Sequence, residues 1–225
     1  MPGLKKITAL TTTIFLFSSV FSQKAQLSVA PDISLLRSVK EQQRYWAFGQ
    51  TVAFHFHFTP KDGAYAWICY YTDGKFSNDL TADAKSSGTT PQQIAYVNNS
   101  RLRFRHISLG WKRYLKGTYN SEASWNLYAY AGFGLMLGRV VNTHSTAIDS
   151  SLYSIPVLSG KGNFKRLTFD LGLGIEFPLG ASVYLYIEGK TLLPTTDYPS
   201  PYLLVNDNAP LMVATNLGLR ILFDH

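Results

Sequence analysis

The stretch RLTFDLGLGIEF, residues 166–177, alternates without a fault. Leu167, Phe169, Leu171, Leu173, Ile175 and Phe177 occupy the odd positions; Arg166, Thr168, Asp170, Gly172, Gly174 and Glu176 the even ones. Successive side chains of a strand point to opposite faces, so this segment is a strand with one wholly apolar face and one face carrying three charges. A helix of the same sequence would mix the two sets around its circumference. What remains to decide is which face points inward.

The pattern recurs. In NLYAYAGFGLMLG, Leu127, Ala129, Ala131, Phe133, Leu135 and Leu137 oppose Asn126, Tyr128, Tyr130, Gly132 and Gly134. In VYLYIEGK, Val183, Leu185 and Ile187 oppose Tyr184, Tyr186, Glu188 and Lys190. Near the C-terminus Leu217, Leu219, Ile221 and Phe223 oppose Asn216, Gly218, Arg220 and Leu222. Glycines beside tyrosines on the polar face suit a narrow barrel interior, where large and small side chains interdigitate. A soluble, lipocalin-like barrel is the alternative, with apolar residues inside. The charged fraction, 16% of 225 residues, is below the roughly 25% of soluble domains. The expectation is therefore a barrel with its apolar face turned outward to lipid.

Eight segments read as strands, at 26–37, 46–58, 64–73, 100–114, 124–138, 164–177, 182–193 and 210–223. Most reach the roughly 9–11 tilted residues that cross a bilayer. Short turns at 60–63, 115–124 and 178–182 alternate with longer polar loops at 38–45, 74–99, 139–163 and 194–209, the rhythm of an up-and-down transmembrane barrel. No run approaches the roughly 20 apolar residues of a spanning helix. Tyr45, Trp46, Phe58, Trp111, Tyr114, Phe177 and Phe223, near strand ends, are expected to form interfacial girdles.

The first residues, MPGLKKITALTTTIFLFSSVFSQ, have the basic start (Lys5, Lys6), short apolar run and small-residue site of a secretory leader, with cleavage expected near Ser22/Gln23. Residues 1–22 are thus read as a signal peptide and 23–225 as one barrel domain. The net charge of +7 falls to +5 without Lys5 and Lys6. Cys69 is the only cysteine, so no internal disulfide can form, and a closed barrel with every strand paired is one other source of stability.

RFRHISLGWKRYL, NLYAYAGFGLMLG, LGLGIEFPLGASVYLYIEGK and NLGLRILF together resemble the small outer-membrane β-barrel proteins of Bacteroidetes, the OmpA-like and PorT-like barrel group. The resemblance covers residues 26–225 and is strongest after residue 100. It implies an all-β, eight-stranded antiparallel barrel in the outer membrane, and it carries little about molecular role. Barrels of this group usually finish on an aromatic residue; here Asp224 and His225 follow Phe223.

Several constellations could carry chemistry. His106 and Ser108, two apart on a strand, resemble the His–Ser pair of outer-membrane lipid A deacylases, where His activates Ser. Here Leu109 replaces the usual Asn, and the bland alternative is a pair of interior polar residues. His55 and His57 share a face and could ligate a metal only with a third ligand across the lumen, so no metal or other cofactor is expected. Arg101, Arg103 and Arg105 continue the face of Ile107, Leu109 and Trp111, where lipopolysaccharide phosphates would lie. A bulge that switched the faces would instead make them solvated or interior.

The inward charges Arg166, Lys190 and Arg220 against Asp170, Glu176 and Glu188 predict a cross-lumen ionic network, since enclosed charges are costly unless paired. Phe223 is read as part of the assembly signal recognised by the barrel assembly machinery. With no nucleophile elbow, zinc-protease or phosphate-loop motif, and with basic charge spread rather than clustered, catalysis and nucleic-acid binding are not expected. The expectation is a non-enzymatic, plugged outer-membrane barrel that contacts lipid and lipopolysaccharide and meets an envelope partner through its loops. A narrow solute channel and a lipid A acyl hydrolase are the rivals.

Overall fold

The computed structural model describes residues 26–196, 199–206 and 209–223. The leader assigned to residues 1–22, with its cleavage site, lies outside them, as do Asp224 and His225. Strands β1 (Gln26–Ser38), β2 (Tyr45–His57), β3 (Asp62–Ala84), β4 (Gln93–Lys116), β5 (Asn126–His144), β7 (Gly160–Gly180), β8 (Val183–Pro194) and β9 (Met212–Phe223) close into an eight-stranded antiparallel barrel. Each pairs with its neighbours in the chain, and β9 returns to β1 with Leu27 opposite Phe223 and Ser38 opposite Met212. A two-residue strand, β6 (Tyr153–Ser154), adds to the outer end of β3.

Leu109 and Phe133 are each 67% exposed, whereas Asp170 and Arg220 are 0% exposed. The apolar rows cover the outside, and the polar rows fill the inside. This inverts the arrangement that water imposes on a soluble barrel, and it suits a surface surrounded by hydrocarbon. Even-numbered residues face inward on β1, β4, β5, β7, β8 and β9, and odd-numbered ones on β2 and the lower half of β3.

The expected loop at 74–99 is mostly strand. β3 and β4 remain paired up to Asp83 and Gln93, far beyond the rim, and β5 stays with β4 as far as His144. The apolar alternation weakens near residue 73 because the outward face of this hairpin lies above the apolar band and is polar, while the irregularity between Tyr71 and Gly74 moves the remaining apolar residues, Phe76, Leu80 and Ala82, to the other parity. A small cluster of Ala82, Tyr96 and Tyr153, flanked by Leu80, Ile94 and Ile155, holds its tip together.

Two girdle assignments are corrected. Tyr45 and Tyr114 point inward and are buried: Tyr45 stacks on Phe76 at 5.8 Å, and the Tyr114 hydroxyl is bound within the lumen. Both lie on inward rows, so parity overrides position near a strand end. Trp46, Trp111, Phe177 and Phe223 do face outward, and Phe58 lies 5.6 Å from Trp111 at the lower rim, the side of the short turns. A face-switching bulge is present, but on β3 between Tyr71 and Gly74. β4 keeps its register with β5 from Asn98 through Tyr114, so Arg101, Arg103 and Arg105 stay outward.

Candidate functional site

The inward rows bring together charges from strands far apart in sequence. At the lower end Arg220 on β9 donates to both carboxylate oxygens of Glu176 on β7, at 3.1 and 2.9 Å. Lys112 on β4 donates to the same carboxylate at 2.8 Å, and the Tyr114 hydroxyl at 3.0 Å. A single carboxylate therefore gathers two cations and a phenol, and such bidentate, charge-assisted contacts are what make enclosed charge tolerable.

In the middle, Glu188 on β8 accepts from the hydroxyls of Tyr128 at 2.9 Å and Tyr130 at 2.8 Å, both on β5. The strand between them, β7, presents Gly174 opposite Tyr128 and Gly172 opposite Tyr130. A Cβ on either glycine would collide with the phenol ring lying over it. Glycine is thus what lets two tyrosines cross a whole strand to reach a carboxylate, which explains the Gly–Tyr alternation of the inward face. Asp32 on β1 accepts from Tyr186 at 2.8 Å and from Asn216 at 3.0 Å, and Lys190 sits 4.3 Å above the Trp67 ring.

Higher up, Thr168 donates to Asp170 at 2.8 Å, and His106 Nε2 lies 2.7 Å from the Thr168 hydroxyl and 3.6 Å from Asp170. Ser108, on the same row, is 3.5 Å from the Tyr65 hydroxyl. His106 and Ser108 are 0% and 1% exposed and face the packed interior. Arg166 reaches upward to donate to the Val205 carbonyl at 2.9 Å. His57 contacts Ser28 at 2.9 Å and stacks on Tyr119 at 4.4 Å; among the described residues no group of three potential ligands could hold a metal.

Both ends are covered. At the lower end the Tyr119 carbonyl accepts from Arg220 at 2.7 Å. At the upper end Leu203 and Val205 are buried, and Asn142 donates to the carbonyls of Leu158 and Tyr202 at 3.0 and 2.8 Å. The space left among Asp32, Lys112, Glu188 and Lys190 is a cavity of about 20 Å³, room for one water molecule.

The six charges expected in the lumen all face inward, and Arg220 with Glu176 is a direct ion pair among them. Lys112 and Asp32 were not anticipated. Lys112 shares an inward row with His106 and Ser108, and Asp32 shares one with the buried Ser28 and Ser34, so strand parity was the available signal. On the outside, Arg103 stands opposite Arg139 of β5, and Arg105 shares a row with Lys165 of β7, so the basic row is one edge of a wider patch. Phe223 is 41% exposed, opposite Leu27 on the strand that closes the barrel.

No protein-family model matches the sequence, and no curated protein matches it. Solved structures are similar in fold. Neisserial surface protein A superposes with a TM-score of 0.56 at 10% identity, covering 88% of this chain and 97% of that one. Ail, the attachment invasion locus protein of Yersinia pestis, in its complex with the heparin analogue sucrose octasulfate, gives a TM-score of 0.50 at 9% identity, over 88% and 99% of the two chains. The chain has the eight-stranded fold of the small outer-membrane β-barrel proteins.

Proposed function

We propose that this protein is an integral outer-membrane barrel with a sealed polar lumen, exported through a leader at residues 1–22, and that it works through its outer surface rather than by catalysis or conduction. The observation that carries the reading is the union of an apolar exterior with an interior filled by buried charged and polar side chains, the Glu176 cluster foremost. An exterior of Leu109, Phe133, Leu171 and Leu173 facing water would be a large exposed apolar surface, costly at roughly 25 cal/mol per Å². The interior cavity of about 20 Å³ speaks against the solute channel. Burial of His106 and Ser108 away from the lipid face speaks against acyl hydrolysis.

The barrel assembly machinery would engage the terminal strand around Phe223, outer-leaflet phosphates would meet Arg101, Arg103 and Arg105, and the long β3–β4 hairpin is the natural platform for an envelope partner. The resemblance to the Bacteroidetes group extends this to a supporting role beside a secretion or gliding machine. The test is fractionation with planar-bilayer recording. The mature chain is expected in carbonate-resistant outer membranes, to migrate faster on gels when unheated, and to give no stable conductance. Recovery from the soluble periplasm would overturn the membrane reading, and a reproducible open conductance would overturn the seal.

A further inference from the structure

We propose that the outward face of β3, β4, β5 and β7 just above the apolar band is a binding site for one phosphorylated glycolipid of the outer leaflet. The proposal rests on the outer-membrane reading above. It goes beyond general lipid contact by naming a layered site on adjoining strands. Cross-strand register stacks the layers. Ile68, Ile107, Leu135 and Leu167 form one row across β3, β4, β5 and β7. The next row up carries Arg105 and Lys165 on either side of Leu137, and the one above sets Arg103 opposite Arg139. A third carries Lys75, Arg101 and Lys161, and the highest is neutral and polar, Ser77, Asn99 and Thr143. Successive rows are two residues apart, roughly 6.5–7 Å along the strand.

Each layer fits one part of such a lipid: the apolar row its acyl chains, the cationic rows its phosphates, and the Ser–Asn–Thr row its sugar hydroxyls. Arg103 and Arg139 face one another directly, and like charges so placed destabilise a strand pair. A phosphate between them converts that repulsion into charge-assisted hydrogen bonds, for which guanidinium geometry is well matched. An open groove of about 790 Å³ runs beside Arg103, Arg105, Arg139 and Lys165. It is followed higher up by one of about 430 Å³ lined by Lys75, Ser77, Asn99, Arg101 and Thr143. A simple solvated basic row has no need of the apolar row beneath or the hydroxyl row above. In the uppermost row Ser77 donates to Asn99 Oδ1 at 2.7 Å, and a phospholipid without sugar would add no contact there.

The experiment is native mass spectrometry of the folded, full mature barrel titrated with three lipids: a bisphosphorylated acylated glucosamine disaccharide, the same lipid without phosphates, and phosphatidylglycerol. The first is expected to give a one-to-one adduct at least about tenfold tighter than the other two. Arg103→Gln with Arg139→Gln is expected to weaken it by about tenfold or more while heat-modifiable migration stays unchanged. Ser77→Ala with Thr143→Val is expected to weaken the glycolipid but not phosphatidylglycerol. Equal binding of phosphatidylglycerol, or an adduct indifferent to the two arginines, would overturn the proposal and leave the membrane reading intact. A wild-type chain lacking heat-modifiable folding would overturn both.

Discussion

Arg220 grips both oxygens of Glu176 across an intervening strand, one from β9 and the other from β7, with β8 between them. The contact pins three strands to one another beside the seam where the last strand meets the first. Lys112 attaches a fourth strand through the same carboxylate.

Removing that carboxylate leaves two buried cations facing each other. Glu176→Ala is expected to lower unfolding stability by about 3–5 kcal/mol, less if water enters the space. Denaturant titration of the refolded barrel in micelles measures it. A loss below about 1 kcal/mol, typical of an exposed pair, would mean that the cluster is wet rather than sealed.

Gly172 and Gly174 make a second case. An added methyl must displace Tyr130 or Tyr128, so Gly172→Ala or Gly174→Ala is expected to cost about 1–3 kcal/mol through overpacking. Pairing Gly174→Ala with Tyr128→Phe checks the cause. If loss of the hydroxyl contact with Glu188 is what the methyl inflicts, the double variant is less destabilised than the sum of the singles.

The β7–β8 turn carries avoidable strain. Ala181 and Ser182 have φ of 49° and 62°, the left-handed conformation that a two-residue hairpin turn demands and that side chains resist. Ala181→Asn with Ser182→Gly supplies the residues favoured there and is expected to raise stability by about 1 kcal/mol. The same denaturant titration would show a higher midpoint with an unchanged slope.

Phe223→Ala tests assembly rather than stability. Its ring lies on the outward row of the closing strand, and its loss is expected to reduce the amount of folded barrel in cells while leaving the lumen clusters intact. Heat-modifiable band intensity reports the yield. An unchanged yield would remove Phe223 from the assembly signal.

How far the fold could be read in the chain follows the bilayer. Where a strand separates hydrocarbon from a polar interior, as at Leu167–Phe177, the alternation is strict and parity alone tells Asp170 from Leu171. Above the band, at Lys75–Ala82, the outward Lys75, Ser77, Asp79 and Thr81 are all polar and the inner face mixes Asn78 with Phe76, Leu80 and Ala82, so the same extended backbone leaves only a faint trace on the opposite parity. Inside, parity places Glu176, Glu188, Lys190 and Arg220 in the lumen, but it cannot say which partners meet. Glu188 faces tyrosines two strands away only because the glycines between them are missing a side chain, and Arg166 turns upward because Val205 folds in over the rim. Pairing depends on barrel shear and on loop returns, and neither leaves a local mark.

The length of the β3–β4 hairpin divides the chain into two regimes of tolerated change. At about 3.3 Å per residue and a tilt near 40°, the 24 residues of β4 rise about 60 Å, against an apolar band about 25 Å tall. Within the band every substitution answers to hydrocarbon on one side and to crowded ionic packing on the other. On the outward face of the part that stands clear, a new side chain has only to leave the strand pairing and the small tip cluster intact. The upper hairpin is therefore where this surface can diversify fastest at least cost to folding: a stiff, replaceable display standing on a foundation that is hard to alter.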